Sequence, residues 1–174
     1  IIDQHQAVES YLSHLVKSLR ADKPLSGLTI VLDCANGASY ETAVAAFEAA
    51  GASVTAIHAS PDGININAGC GSTHPGDLQK AVLSSSADLG LAFDGDADRC
   101  LAVDHEGNLI DGDKIMGSLA VNALERGTLA KDTLVVTVMS NLGLLIAMRE
   151  AGIKTVQTGV GDRYVLEEML ASGY

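Results

Sequence analysis

The chain has 174 residues, 47% of them hydrophobic, which is enough for one domain or one and a half with a substantial core. Eleven basic residues against 22 acidic ones give a formal net charge of −11, which repels phosphate backbones and anionic lipid surfaces. Four Tyr, two Phe and no Trp leave few rings on which nucleic-acid bases could stack. We therefore expect a small-molecule function and no nucleic-acid partner.

Two further sequence features indicate where the protein is located and how its cysteines are used. No apolar run approaches the roughly 18 to 20 residues that cross a bilayer, and no secretory signal opens the chain, so we expect no membrane association and a cytoplasmic location. The cysteines are odd in number, widely spaced and free of any Cys-x-x-Cys pair, which predicts neither a disulfide framework nor a zinc site. They are Cys34, Cys70 and Cys100.

The first part of the chain alternates between helical and strand patterns. An apolar stripe from Val8 to Leu19 predicts an amphipathic helix. Strand, helix and strand then follow, and this order predicts a parallel βαβ unit with a right-handed crossover. After a long loop rich in Gly, Pro and Asn, one more helix leads into two strands. The predicted segments after the first helix are 28–34, 40–50, 53–58, 77–86, 89–93 and 100–103.

The second part repeats this pattern from about Asp113. A helix is followed by a strand over 133–138, a helix reaching Ala151, a strand over 153–158 and a final helix from Leu166. We predict an α/β protein with two consecutive three-layer α/β/α units and mixed, mostly parallel sheets. The expected boundaries are 1–107 and 108–174, and the second unit is expected to be truncated because no further strand follows.

Three carboxylates lie close together between two apolar runs. Asp94, Asp96 and Asp98 alternate within five residues, and Gly95 allows the tight bend that their convergence requires. Like charges at this spacing repel unless a cation neutralises them. Carboxylate oxygens are the ligands that Mg²⁺ prefers. The stretch therefore predicts a magnesium site on a loop between two buried strands.

Other interpretations of this loop remain open at this point. A solvated acidic turn needs no ion. An aspartate-nucleophile phosphatase would use Asp94 to attack phosphorus and Asp96 as the acid and base. A non-catalytic protein that binds Mg²⁺ or Ca²⁺ is a third possibility. A calcium loop of the EF-hand type is disfavoured, because its sixth and twelfth positions would be Arg99 and His105 instead of Gly and Glu.

Six motifs together resemble the α-D-phosphohexomutase family, essentially from end to end. The acidic loop is shared across that family, while the third and sixth motifs resemble its glucosamine-phosphate branch. The alternative is the phosphomannomutase/phosphoglucomutase branch. The motifs are Asp33-Cys-Ala-Asn-Gly-Ala38, Pro61-Asp-Gly-Ile-Asn-Ile-Asn67, Cys70-Gly-Ser-Thr-His-Pro75, Asp94-Gly-Asp-Ala-Asp-Arg99, Val138-Met-Ser-Asn-Leu-Gly143 and Thr158-Gly-Val-Gly-Asp-Arg-Tyr-Val165.

The resemblance implies an isomerase that interconverts glucosamine 6-phosphate and glucosamine 1-phosphate through a bisphosphorylated sugar, supplying cell-wall precursors. Such enzymes use a phosphorylated serine and one Mg²⁺ ion. The three aspartates match its carboxylate ligands, and Arg99 matches a catalytic arginine beside the transferring phosphate. Gly161, Asp162 and Arg163 match a substrate-binding loop, although a plain helix N-terminus is an alternative for them.

The resemblance also implies that parts of the enzyme lie outside this chain. It covers the second and most of the third of four family domains. The first domain with its phosphorylatable serine, a Gly-Glu-x-Ser loop expected beyond Tyr174, and the fourth domain would be missing. The chain alone is therefore expected to be inactive. The implied partners are a phosphorylated hexosamine, domains I and IV, and a second copy in a homodimer.

Overall fold

A computed structural model of the chain describes residues 5–19 and 21–174. The chain divides into two compact units, Ile1–Ile110 and Asp111–Tyr174. The division falls three residues after the expected boundary at 107, because residues 109 and 110 pair with the last long strand of the first sheet. Within the described ranges, no helix has the length and apolar character needed to cross a membrane.

The described part of the first unit contains three α-helices and five strands. Its strands and later helices begin and end within two residues of the predicted segments. In chain order the elements are α1 (His5–Lys17), β1 (Thr29–Asp33), α2 (Ser39–Ala49), β2 (Ser53–Ile57), α3 (Gly76–Ser85), β3 (Leu89–Phe93), β4 (Cys100–Asp104) and β5 (Leu109–Ile110).

The five strands form one mixed sheet in the order β2-β1-β3-β4-β5. The pairings of β1 with β2 and with β3 are parallel, whereas β3 with β4 and β4 with β5 are antiparallel. The carboxyl ends of β1, β2 and β3 therefore lie at the same edge of the sheet, which is where α/β proteins commonly place their ligands. The loops that follow these three strands meet at that edge.

Strand β1 lies at the centre of the first unit and has buried side chains on both faces. Ile30 and Leu32 pack with a cluster that includes Phe47 of α2. Val31 points to the opposite face and packs with a cluster that includes Leu78 of α3. This alternation places α2 and α3 on opposite faces of the sheet. The first unit is thus the predicted three-layer α/β/α arrangement.

The second unit has the same strand–helix–strand core. Its elements are α4 (Gly112–Glu125), β6 (Thr133–Thr137), α5 (Leu142–Glu150), β7 (Lys154–Thr158) and α6 (Asp162–Ser172). Strands β6 and β7 pair in parallel, and Val136 packs in a cluster with Leu144 and Met148 of α5. The described part of this unit has a two-stranded sheet.

The chain leaves α2 and α5 in the same way. Gly51 and Gly152 follow the two helices with positive φ of 100° and 78°. The next amide then donates back into the helix, from Ala52 to the Phe47 carbonyl and from Ile153 to the Met148 carbonyl. These are C-terminal caps of the type that favours glycine. The similarity of the two Ala-Gly sequences therefore extends to their local structure.

Candidate metal centre

The acidic loop connects the antiparallel strands β3 and β4 at the carboxyl edge of the first sheet. Asp94 follows β3 directly and is only 3% exposed, whereas Asp96 and Asp98 are exposed. One carboxylate oxygen from each of the three residues lies within 4.8 Å of the other two. The sequence pattern therefore corresponds to a real convergence of three acidic side chains.

Arg99 contacts Asp94 through two separate donors. The Arg99 backbone N–H donates to Asp94 Oδ1 at 3.1 Å, and the guanidinium Nε donates to Asp94 Oδ2 at 2.7 Å. Nε also lies 3.4 Å from Asp98 Oδ1. Charge-assisted hydrogen bonds of this kind are shorter and stronger than neutral ones. Arg99 therefore fixes the orientation of the one buried carboxylate of the cluster.

The pKa values of Asp94 and Asp98 move in opposite directions. Burial alone would raise the pKa of Asp94, but the backbone and side-chain hydrogen bonds and the charge of Arg99 outweigh burial and lower it. The pKa of Asp98 is raised, first by the charge of Asp96, with desolvation and the charge of Asp94 adding to it. Ionisation of Asp98 therefore costs free energy, which a bound cation would recover.

Replacing Arg99 with methionine is expected to raise the pKa of Asp94 above its value in the unsubstituted protein. The wild-type carboxylate contributes stability that is fully present above its unfolded pKa of about 3.9 and is lost as the pH falls through the lower folded pKa. The variant should lose less stability over this acidic range. Carboxyl-carbon NMR titration without added metal, combined with unfolding at several pH values, measures both effects.

The matched control for this prediction is Lys80→Met. Lys80 is exposed and pairs with Asp77 at 2.8 Å, so its loss also removes one surface cation and one ion pair. We expect the pKa of Asp77 to rise in that variant, because the hydrogen bond and charge of Lys80 are the main causes that lower it, and the pKa of Asp94 to stay unchanged. An unchanged Asp94 titration in the Arg99 variant would contradict the ion pair.

A second group of metal-ligand side chains lies at the same edge of the sheet. Asp33 ends β1, His58 follows β2, and Cys70 belongs to the next loop; their ligand atoms lie within 4.8 Å of one another. Both oxygens of the buried Asp33 already accept backbone N–H bonds, from Ala35 and Gly71. Burial, followed by the charges of Asp33 and Asp77, raises the pKa of the Cys70 thiol. These contacts favour a structural role for the group.

Neither the motifs nor the spacing of the sequence pairs Asp33 with His58. His58 Nδ1 lies 3.1 Å from Asp33 Oδ2, and the two residues are 25 positions apart in the sequence. The available signal was topological: both residues stand at the ends of strands that were predicted to be parallel neighbours. Side chains in such positions meet at one edge of the sheet.

The remaining predicted site residues lie on the second unit, at the start of α6. Gly161 precedes the helix with a φ of 136°, and Asp162 and Arg163 occupy the first turn. The helix therefore begins four residues before the expected Leu166, so Asp162 and Arg163 are helical and not part of a loop. Arg163 Nε donates to Glu167 Oε1 at 2.8 Å, one turn further along. Asp162 lies in the first turn of the helix, where the helix dipole stabilises a negative charge.

Comparison with known proteins identifies relatives of both units. The family model for alpha/beta/alpha domain II of phosphoglucomutase/phosphomannomutase matches residues 9–107, and the model for domain III matches residues 111–174. Phosphoglucosamine mutase of Cutibacterium acnes is 62% identical over 169 residues, which are 97% of this chain and 38% of the relative. Phosphoglucosamine mutase of Rhodococcus erythropolis is 62% identical over 168 residues, covering 97% and 37%.

A solved structure of a protein from the same family has a similar fold. The crystal structure of a phosphoglucomutase/phosphomannomutase family protein from Burkholderia thailandensis superposes with a TM-score of 0.80 at 26% identity, over 96% of this chain and 36% of the other. This chain thus spans somewhat more than a third of the length of these relatives. Since two family models together account for nearly all of its residues, the chain belongs to the phosphoglucomutase/phosphomannomutase family.

Proposed function

We propose that this chain supplies the metal-binding part of an enzyme that interconverts glucosamine 6-phosphate and glucosamine 1-phosphate. The observation that carries the proposal is the convergence of Asp94, Asp96 and Asp98 beside Arg99. It occurs in a chain that is about 60% identical to proteins named phosphoglucosamine mutase. The glucosamine branch is proposed from this identity, and the reaction type from the chemistry of the loop.

The donor set of the acidic loop suits Mg²⁺. An octahedral ion with bonds of about 2.0–2.1 Å takes hard oxygen ligands and keeps several waters. Three carboxylate oxygens within 4.8 Å of one another can reach such an ion after small rotations of the exposed Asp96 and Asp98. The ion would neutralise negative charge on a transferring phosphoryl group and polarise its oxygens. We propose Asp94, Asp96 and Asp98 as its protein ligands.

Arg99 is proposed as the residue that contacts the transferring phosphoryl group. Its side chain is 71% exposed, and the hydrogen bond and ion pairs that the described residues make with its guanidinium all involve Nε. The two terminal nitrogens are thus available to donate to phosphate oxygens in the paired geometry that arginine favours. Holding Asp94 and binding phosphate are therefore compatible roles.

The contacts of Asp94 argue against the aspartate-nucleophile phosphatase. A nucleophilic carboxylate needs an exposed oxygen directed at phosphorus. Asp94 is 3% exposed, and Arg99 donates to both of its oxygens. Formation of an acyl phosphate on Asp94 would require this arrangement to open. We therefore propose metal coordination for Asp94 and place the phosphorylated residue elsewhere in the whole protein.

We propose that residues 1–107 form family domain II with the metal loop and that residues 108–174 form an incomplete domain III. Gly161, Asp162 and Arg163 are proposed to bind the sugar phosphate, with Arg163 free to exchange its exposed Glu167 partner for phosphate. Because this chain spans only about 38% of its relatives, we propose that other domains supply the phosphoserine and the remaining substrate contacts. The chain alone should then show no mutase activity.

The test is conversion of three hexose phosphates by the whole protein with Mg²⁺. We expect glucosamine 6-phosphate to be converted to its 1-phosphate with a higher kcat/KM than glucose 6-phosphate or mannose 6-phosphate. A higher kcat/KM for glucose 6-phosphate or mannose 6-phosphate would assign the protein to the phosphomannomutase/phosphoglucomutase branch. Net release of inorganic phosphate, with labelled phosphate trapped on Asp94, would contradict the mutase and support the aspartate-nucleophile phosphatase.

A further inference from the structure

Asp33 is a fully buried carboxylate that the proposed phosphoryl-transfer chemistry does not use. It ends β1 and pairs in register with Ala92 of β3, two residues before Asp94. Its Oδ1 accepts the Ala35 N–H and its Oδ2 accepts the Gly71 N–H, both at 2.9 Å. A buried carboxylate is expensive unless its oxygens are hydrogen-bonded. Asp33 therefore ties the loop after β1 to the loop after β2.

The two backbone segments that Asp33 binds lie against the start of the acidic loop. A Cβ atom placed on Gly71 would lie 2.5 Å from the Phe93 carbonyl oxygen and 2.6 Å from Ala35 Cβ. Gly71 has a φ of 71° and Ala35 a φ of 52°. Asp33 thus binds two backbones in left-handed conformations that lie against each other, and one of them, at Gly71, also lies against the last residue of β3.

The same two loops enclose Gly95, which separates Asp94 from Asp96. A Cβ atom on Gly37 would overlap the Gly95 carbonyl oxygen, and that oxygen accepts the Ala38 N–H at 2.8 Å. From the other side, a Cβ atom on Gly95 would lie 2.7 Å from Asn67 Nδ2. The Asn67 N–H in turn donates to the Ala35 carbonyl at 2.9 Å. The loops after β1 and β2 therefore bond to each other and interlock with the acidic loop.

We propose that Asp33 is a positioning residue for the metal centre: through Ala35 and Gly71 it holds the acidic loop in the conformation in which its carboxylates converge. The proposal deepens the proposed function and rests on it for the identity of the ligand. Residues behind metal ligands commonly change metal affinity by about 10- to 100-fold when they are replaced. Asp33 acts one step further back, on the two loops that pack against the backbone that carries the ligands.

Amide hydrogen exchange in the metal-free whole protein tests the proposal directly. Asp33→Asn keeps the shape of the side chain but replaces one acceptor oxygen by an NH₂ group. This donor then faces the backbone N–H of either Ala35 or Gly71, which loses its hydrogen bond. We expect amides of residues 94–99, including the Ala97 and Arg99 N–H groups that bond to Asp94, to exchange at least about tenfold faster. Unchanged exchange in this segment would overturn the proposal.

Asp88→Asn is the matched control. Asp88 Oδ2 accepts the Thr29 N–H at 2.8 Å at the opposite end of β1, so this variant also replaces a carboxylate that binds a backbone N–H of the same strand by a neutral amide. Its exchange over 94–99 should remain that of the wild type. Equal acceleration in both variants would show general destabilisation and overturn the positioning role.

Two further measurements keep the result interpretable. If Asp33→Asn does not fold, Asn67→Gly removes the amide beside Gly95 at an exposed position with a φ of 57° that glycine tolerates; the same segment must exchange faster, and unchanged exchange would overturn the interlock. Mn²⁺ titration should show affinity about tenfold weaker in Asp33→Asn. A wild type that binds no Mn²⁺, while only Asp33→Asn exchanges faster, would retain the positioning role and overturn the proposed metal centre.

Discussion

Replacing Asp96 with alanine is expected to lower kcat/KM for glucosamine 6-phosphate in the whole protein by on the order of 10³, which corresponds to about 4 kcal/mol of transition-state stabilisation. Asp96 is exposed and, among the described residues, takes part in no hydrogen bond or ion pair. Its loss should therefore leave Tm almost unchanged. The pKa of Asp98 should fall, because the charge of Asp96 is the main cause of its rise.

The control for this variant is Glu106→Gln, which removes one exposed negative charge at the other end of β4. Glu106 lies in the turn between β4 and β5, and its carboxylate accepts a hydrogen bond from Asn108 Nδ2. We expect full activity in this control and unchanged Mn²⁺ affinity. Full activity in Asp96→Ala at limiting Mg²⁺ would contradict the assignment of Asp96 as a ligand. Loss of activity in Asp96→Ala with unchanged Mn²⁺ affinity would show that Asp96 contacts the substrate and does not bind the metal.

Replacing Gly37 with alanine is expected to lower the free energy of unfolding by about 1–3 kcal/mol and to weaken Mn²⁺ binding. The added methyl group would overlap the Gly95 carbonyl oxygen and lie 2.7 Å from Gly95 Cα. Backbone atoms cannot rotate away as a flexible side chain can, so one of the two loops must move. Gly95 separates two proposed ligands, and a shift there spreads the carboxylates. Chemical unfolding and Mn²⁺ titration measure the two effects.

Gly76→Ala provides the comparison for this prediction. Gly76 begins α3, its φ lies outside the left-handed range, and a Cβ atom there would meet nothing within 4 Å. Surface substitutions of this kind change stability by less than about 0.5 kcal/mol. If Gly37→Ala is as stable as Gly76→Ala and binds Mn²⁺ equally well, the close approach of Gly37 to Gly95 does not constrain the acidic loop.

Much of the fold could be predicted because its elements carry local signals. Uninterrupted apolar runs such as 89–93 predict buried strands, and Ala-Gly sequences at 50–51 and 151–152 predict helix ends. The start of α6 was placed four residues late, because Gly159 and Gly161 favour a loop while the helix begins directly after Gly161. The first compact unit includes Leu109 and Ile110, three residues beyond the predicted boundary at 107 where the domain II match also ends, and the two-residue strand β5 that they form is too short to give a pattern of its own.

Spacing and residue type in the sequence alone determined the three-carboxylate loop, its flanking strands and the family resemblance, since all of these depend on neighbouring residues. The tertiary structure decided that Arg99 engages both oxygens of Asp94, that Asp33 binds an amide 38 residues away, and that Gly37 lies against Gly95. The last two contacts join segments that are remote in the sequence. They arise because parallel strands bring the carboxyl ends of β1, β2 and β3 to one edge of the sheet, and no local pattern records them.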